Sequence, residues 1–206
     1  MQIAKEDNFS KIPVQELNSF LPDYQWWTQH SIIINATPKT VILAFRELNN
    51  SDLGIARLLF TIRMLPSMLF NPSYQVDMEA KELVWNSMLK IGFIELDGTN
   101  ENTAILGFIG KPWKLKLSNS IRKDVNTQQF VSFIEPGYIK GVNSVIVKPH
   151  AEGTLLTTET RVFATCQSAE KRFKPYWFFI KPFSGLMRIN MLSSIAGKAK
   201  KIQRLK

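Results

Sequence analysis

The pattern of apolar and polar positions divides the chain into a first strand, a group of helices, a run of strands and a helical end. Residues 31–36 are rich in β-branched side chains, which predicts a strand. Thr37 and Pro38 favour a helix start, because threonine caps helix N-termini and proline fits the first helical position. The helix is then supported by apolar residues at helical spacing: Val41, Ala44, Phe45 and Leu48.

Two further helices are expected before the strands resume. Ser51 or Asp52 caps the first, and its apolar stripe runs through Ile55, Leu58, Leu59 and Ile62. The second covers about 79–91 and ends at Gly92, a residue type that favours helix C-termini.

The second half of the chain reads mainly as antiparallel strands followed by helix. Residues 93–96 and 103–109 flank a turn, and 138–148 and 154–165 are two long strand candidates with a short connection. Residues 126–136 fit neither pattern. Helical spacing returns at 168–204, where Pro182 predicts a division into helices at about 168–180 and 184–204.

This order predicts an α+β fold in which two or three helices follow the first strand and a curved antiparallel sheet wraps around a long C-terminal helix. Residues 1–25, interrupted by Pro13 and Pro22, are expected to be an irregular lead-in, and residues 26–206 a single domain. A curved sheet around one helix leaves space that side chains do not fill, so we expect an internal cavity.

Composition and charge indicate where the protein is located and which partners it could bind. The single cysteine, Cys166, excludes an internal disulfide, and we find neither a secretory leader nor an apolar run of about 20 residues, so a cytoplasmic location is expected. The net charge is +9, with eleven Lys or Arg and one acidic residue after position 160. This surplus is either a solvated helix face or a contact with an anionic membrane. Nucleic-acid binding is not expected, since no recognition motif accompanies the charge. The terminal basic cluster comprises Lys198, Lys200, Lys201, Arg204 and Lys206.

Four stretches carry a resemblance to a known family: residues 31–45, 107–113, 157–162 and 176–188. Together they resemble the START-like superfamily, also called SRPBCC, and within it the polyketide cyclase/dehydrase-like small bacterial proteins. The resemblance spans about residues 24–204 and implies the helix-grip fold. It implies no single function, because that superfamily includes lipid carriers, hormone receptors and cyclases.

Glu159 and Arg161 are the first candidates for the polar part of a binding site. They lie two apart on a predicted strand, which places both side chains on one face of the sheet. If that face is concave, the pair is expected to hold the polar group of a ligand in the cavity. Alternatively, Thr158, Thr160 and Val162 face inward and the two charges form a surface ion pair of little energetic value.

Aromatic residues with polar tips are candidates for the cavity wall, with ordinary core packing as the alternative. Arg188 is either close enough to bind a carboxylate in the pocket or part of a solvated helix face. The aromatic candidates are Trp113, Tyr138, Tyr176 and Trp177.

No motif specifies a reaction. His30 and His150 have no partners at metal-ligand spacing, so no metal is expected, and Gly107–Lys111 does not match a phosphate loop, so no cofactor is expected. The leading hypothesis is a module that binds a lipid, an isoprenoid or an aromatic metabolite in the cavity. The alternative is a cyclase or dehydratase acting on a polyketide-like substrate, with Glu159 or Glu135 as the acid or base.

Overall fold

The computed structural model describes residues 13–54, 79–114, 121–123 and 125–204. A five-stranded antiparallel sheet forms its centre, with the strand order β1-β5-β4-β3-β2. The helix expected around Ile55–Ile62 lies outside the described residues. The strands are β1 (Trp26–Ile34), β2 (Ile94–Glu95), β3 (Thr103–Gly110), β4 (Ile139–His150) and β5 (Gly153–Ala164).

Four α-helices are described: α1 (Pro38–Arg46), α2 (Val84–Lys90), α3 (Thr127–Ser132) and α4 (Gln167–Arg204). The capping prediction for α1 is confirmed, since the Thr37 hydroxyl accepts a hydrogen bond from the Thr40 amide. A reciprocal cap between Asn126 and Gln129 begins α3. That local hydrogen bonding makes part of the ambiguous stretch 126–136 helical.

The C-terminal helix differs from the prediction, because α4 runs unbroken through both Pro175 and Pro182. A proline removes one backbone hydrogen bond and pushes away the carbonyl four residues earlier. Both prolines are exposed and lie two turns apart, so they occupy the same solvent-facing side of the helix. Water can satisfy the displaced carbonyls there, and the helix can bend with its convex side to solvent.

The sheet has an inner face, which α1 and α4 cover, and an outer face opposite to it. On the inner face, Leu156 of β5 belongs to an apolar cluster with Leu192 and Ile195 of α4. On the outer face, Ile105 and Ile146 belong to a cluster with the N-terminal residues 14–21 and with Phe130 of α3. The expected irregular lead-in therefore packs against the sheet over its described part. Its described residues include a 3-10 turn, Gln15–Ser19.

The architecture is α+β, with an antiparallel five-stranded sheet and a long C-terminal helix, an arrangement compatible with a helix grip. The predicted strand at 31–36 begins earlier, at Trp26, and the two long strands β4 and β5 are confirmed as neighbours. Within the described part of the chain, none of the helices combines the length and the apolar character required to cross a bilayer.

The turn between β4 and β5 depends on Gly153. Its φ is +129°, and a Cβ atom at this position would lie 2.4 Å from the carbonyl oxygen of Ile34. We expect Gly153→Ala to lower the free energy of unfolding by about 1–3 kcal/mol, because both the backbone conformation and the contact become strained. Urea denaturation followed by circular dichroism measures the change.

Gly197→Ala is the matched control, because Gly197 lies within α4 and a Cβ atom there meets nothing within 4 Å. Alanine in a helix is expected to raise the free energy of unfolding by roughly 0.5–1 kcal/mol. Effects of the same sign in the two variants would contradict this account of the turn.

Candidate ligand-binding site

The two faces of β5 carry different polar groups. Thr158 and Thr160 point to the inner face, where Thr160 is paired in register with Thr28 of β1 on one side and Asn143 of β4 on the other. The hydroxyl of Thr160 donates to the Asn143 Oδ1 atom at 2.5 Å. His30 of β1 lies opposite Thr158. The sheet residues at the centre of the inner face are therefore polar, and Thr158, Thr160 and Asn143 among them are uncharged.

Arg188 of α4 reaches the polar centre of the inner face with its guanidinium group. Its Nη1 atom donates to the Thr158 hydroxyl at 2.7 Å, and its Nη2 atom donates to Asn143 Oδ1 at 2.6 Å and to the Thr160 hydroxyl. Burial lowers the pKa of Arg188 to about 10, since desolvation penalises the charged form. The alternative of a solvated position for Arg188 is thus not what the structure has.

Helix α4 packs tightly against the sheet at its two ends and less tightly between them. Phe173 is buried near one end and Leu192 near the other, while none of residues 174–191 is fully buried. Residues in this stretch recur at helical spacing on the sheet side and are half-buried. They are Trp177, Ile180, Ser184, Arg188 and Met191.

Three of the predicted wall residues meet at the N-terminal end of α4, around the ring of Phe173. The centroid of that ring lies 6.5 Å from Trp113, 5.5 Å from Tyr176 and 5.7 Å from Trp177. Trp26 of β1 packs edge-on against Phe173 at 4.6 Å. The Nε1 atom of Trp113 is buried and has no acceptor among the described residues. This cluster packs the N-terminal end of α4 against β1 and Trp113.

Tyr138 does not join that cluster. It belongs to the outer-face core, where its ring meets Phe133 at 5.4 Å and the Lys111 Nζ atom lies 3.7 Å from the ring centroid. Tyr138 thus lies in the core of the outer face, which corresponds to the alternative of ordinary core packing considered for it.

Glu159 and Arg161 also face outward, away from α4. Their side chains are fully buried and form an ion pair, with the Arg161 Nε atom 2.7 Å from the Glu159 Oε1 atom. The Glu159 Oε2 atom accepts hydrogen bonds from the Val14 amide at 2.8 Å and from the Gln29 side chain at 2.9 Å. The alternative orientation considered for β5, with Thr158 and Thr160 inward, is the one in the structure.

The remaining donors of Arg161 hold the N-terminal segment in place. Its Nη atoms donate to the carbonyl oxygens of Val14 and Leu21 at 2.6 and 3.1 Å and to the Asn18 side chain at 2.6 Å. The guanidinium also lies 4.7 Å from the ring centre of Tyr24. The sequence allowed two positions for this ion pair, in a cavity under the helix or at the surface. The structure has neither, because the pair is buried on the outer face of the sheet. Its partners come from an irregular segment, and no periodic pattern predicts them.

The carboxylates considered as acid or base do not lie on the inner face. Glu159 is held on the outer face, and Glu135 forms an exposed ion pair with Arg122 at 2.6 Å.

In the basic C-terminal cluster, Lys198 contacts the Asp52 carboxylate at 3.1 Å and the Glu47 carbonyl oxygen at 2.6 Å. Lys200, Lys201 and Arg204 are exposed, and Lys206 lies outside the described residues. Membrane contact through this cluster stays a prediction.

A groove of about 380 Å³ lies near the C-terminal end of α4 and not under its middle. The groove is lined by Asp52, Ser194, Gly197, Lys198, Lys201 and Ile202.

In residues 13–54, 79–114, 121–123 and 125–204, no group of three or more His, Cys, Asp or Glu side chains could hold a metal ion.

The comparisons with known proteins leave the family open. No protein-family model matches the chain, and no curated protein matches it. A solved structure of the quaternary ammonium Rieske monooxygenase CntA in complex with the inhibitor MMV12 is similar at a TM-score of 0.31 and 12% identity. The similarity covers 91% of this chain and 43% of the monooxygenase chain, so this chain spans less than half of its length. A similarity at this level carries no conclusion about fold or function.

The outer-face ion pair yields a stability prediction. We expect Glu159→Gln to lower the free energy of unfolding by about 3–5 kcal/mol, because it leaves the buried Arg161 charge uncompensated. Glu135→Gln is the matched control and is expected to cost at most about 1 kcal/mol, since its ion pair is exposed. Urea denaturation of both variants provides the measurement. Equal losses would mean that the Glu159 pair does not anchor the N-terminal segment.

Cys166 immediately precedes α4 and yields a pH prediction. A hydrogen bond from the Ser168 hydroxyl, together with the Ala169 and Gly137 amides, lowers the pKa of this thiol to about 7. We expect the rate of alkylation by iodoacetamide to rise with pH around a midpoint near 7, and the midpoint to shift upward in Ser168→Ala. A wild-type midpoint near the ordinary cysteine value of about 8.5 would contradict this assignment.

Proposed function

We propose that this protein binds a small, largely apolar ligand between the inner face of the sheet and residues 174–191 of α4. The observation that carries the proposal is the uneven packing of α4, which is buried at Phe173 and at Leu192 but only half-buried between them. Protein interiors are ordinarily packed to the density of organic crystals. A half-buried helix stretch that faces a sheet and carries Trp177, Ile180 and Met191 is therefore a suitable surface for a small, largely apolar molecule.

The surroundings of this stretch suit an amphipathic ligand. Apolar side chains line one end, where Trp113 and Trp177 gather around Phe173, and the polar group at the centre is Arg188 with its threonine and asparagine acceptors. Burial of the apolar part would supply most of the affinity, and the polar centre would fix the orientation. This division is the usual one in ligand pockets.

The START-like resemblance is consistent with this proposal and adds the helix-grip arrangement as its structural frame. Binding is favoured over the cyclase or dehydratase alternative for a specific reason: Glu159 and Glu135, the carboxylates considered for proton transfer, point away from the inner face or lie at the surface. A general acid or base must come within hydrogen-bond reach of its substrate.

Native mass spectrometry of the freshly purified protein tests the proposal. We expect a population heavier than the denatured chain by the mass of a small molecule. In Ser184→Trp this population is expected to fall at least tenfold, because the indole enters the space on the sheet side of α4. Ser193→Trp is the control, since Ser193 is exposed on the same helix. Identical masses before and after denaturation, or equal losses in both variants, would contradict the proposal.

A further inference from the structure

Arg188 has no counter-ion among the described residues. All the acceptors that the structure gives its guanidinium are neutral: the hydroxyls of Thr158 and Thr160 and the amide oxygen of Asn143. No carboxylate among the described residues forms an ion pair with it. Its Nε atom is buried and has no acceptor within the same part of the chain.

Such a site is energetically unusual. Taking a guanidinium out of water costs several kcal/mol, and buried charges in proteins are normally paired. Strand β5 shows such a pairing on its outer face, where the Nε atom of the buried Arg161 lies 2.7 Å from the Glu159 Oε1 atom. The described residues thus supply a carboxylate for the outer-face arginine and none for the inner-face one. An anion supplied by a ligand would complete the pairing.

The geometry restricts the kind of anion. Both Nη2 protons of Arg188 are donated, to Asn143 and to Thr160, so the buried Nε proton is the one that an anion can accept through a charge-assisted hydrogen bond. A carboxylate can accept this proton with one oxygen and a hydroxyl proton with the other. The Thr158 hydroxyl accepts a hydrogen bond from the Arg188 Nη1 atom and can donate its own proton to a ligand oxygen, whereas the Thr160 hydroxyl already donates to Asn143.

The remaining surface restricts the rest of the ligand. Trp177, Ile180 and Met191 are half-buried on the sheet side of α4. At a rise of 1.5 Å per residue, Arg188 lies about 16 Å along the helix axis from Trp177, where the aromatic cluster begins. An extended apolar body that reaches from Arg188 toward Phe173 would cover this stretch.

We propose that the ligand is an apolar carboxylic acid whose carboxylate binds Arg188 on the inner face and whose apolar body extends toward the aromatic cluster around Phe173. This inference rests on the function proposed above and names the chemical class of its ligand. Arg188 is the residue that sets the specificity for acids over uncharged molecules of the same shape.

Two probes of equal chain length test this inference, dodecanoate and dodecan-1-ol. Each is titrated against the wild-type protein carrying the uncharged fluorophore N-phenyl-1-naphthylamine, and displacement gives the dissociation constants. We expect the acid to bind at least about tenfold more tightly than the alcohol, because a hydrogen bond to a charged group is worth roughly 1.5–3 kcal/mol. In Arg188→Met the two constants are expected to agree within about threefold, with the alcohol bound as in the wild type.

Arg172→Met is the matched control, because Arg172 is an exposed arginine of the same helix, and it is expected to keep the wild-type preference. Arg188→Lys retains the charge without the planar fork and is expected to give an intermediate preference.

The outcomes separate the two proposals. Equal binding of acid and alcohol by the wild-type chain would overturn the carboxylate assignment and leave the binding function intact. Failure of both probes and of the fluorophore to bind would overturn the binding function itself. A preference for the acid that survives in Arg188→Met would also overturn the assignment. The wild-type comparison does not depend on the folding of any variant.

Discussion

The alternation of side chains along β5 decides what each face of the sheet can do. Odd-numbered positions send Glu159 and Arg161 outward, where they pair with each other and their hydrogen bonds hold the N-terminal segment against that face. Even-numbered positions send Thr158 and Thr160 inward beneath α4. Among the described residues, the inner face therefore has polar acceptors but no carboxylate, and this is the basis for the proposal that a ligand neutralises the positive charge of Arg188.

The candidate site could be predicted only in part from the sequence. Strand periodicity places Glu159 and Arg161 on a common face, but the choice of face depends on what covers it, and residues 13–25 carry no periodic signal. The aromatic candidates were chosen by residue type; Trp113, Tyr176 and Trp177 lie together around Phe173, and their role in binding a ligand stays a prediction. Arg188 was identified as a candidate, but its acceptors lie 28 to 45 positions away along the chain.

More of the fold than of the site could be predicted from the sequence, because the patterns that indicate helices and strands depend on neighbouring residues. The cap at Thr37, the paired long strands and the helical spacing of the C-terminus depend on neighbouring residues, and each has its counterpart in the structure. The break expected at Pro182 was wrong, since the cost of a proline depends on whether its ring faces solvent or a packed surface. The sequence carries that information only after the sheet side of α4 is known.

A crystal structure of the protein as purified tests the central claim most directly, through the electron density beside Arg188. The account predicts density for a planar anionic group within hydrogen-bond distance of the Arg188 Nε atom, continuing as an apolar body beneath residues 174–191. Direct packing of α4 on the inner face over that stretch, with the guanidinium of Arg188 turned out into solvent, would contradict it.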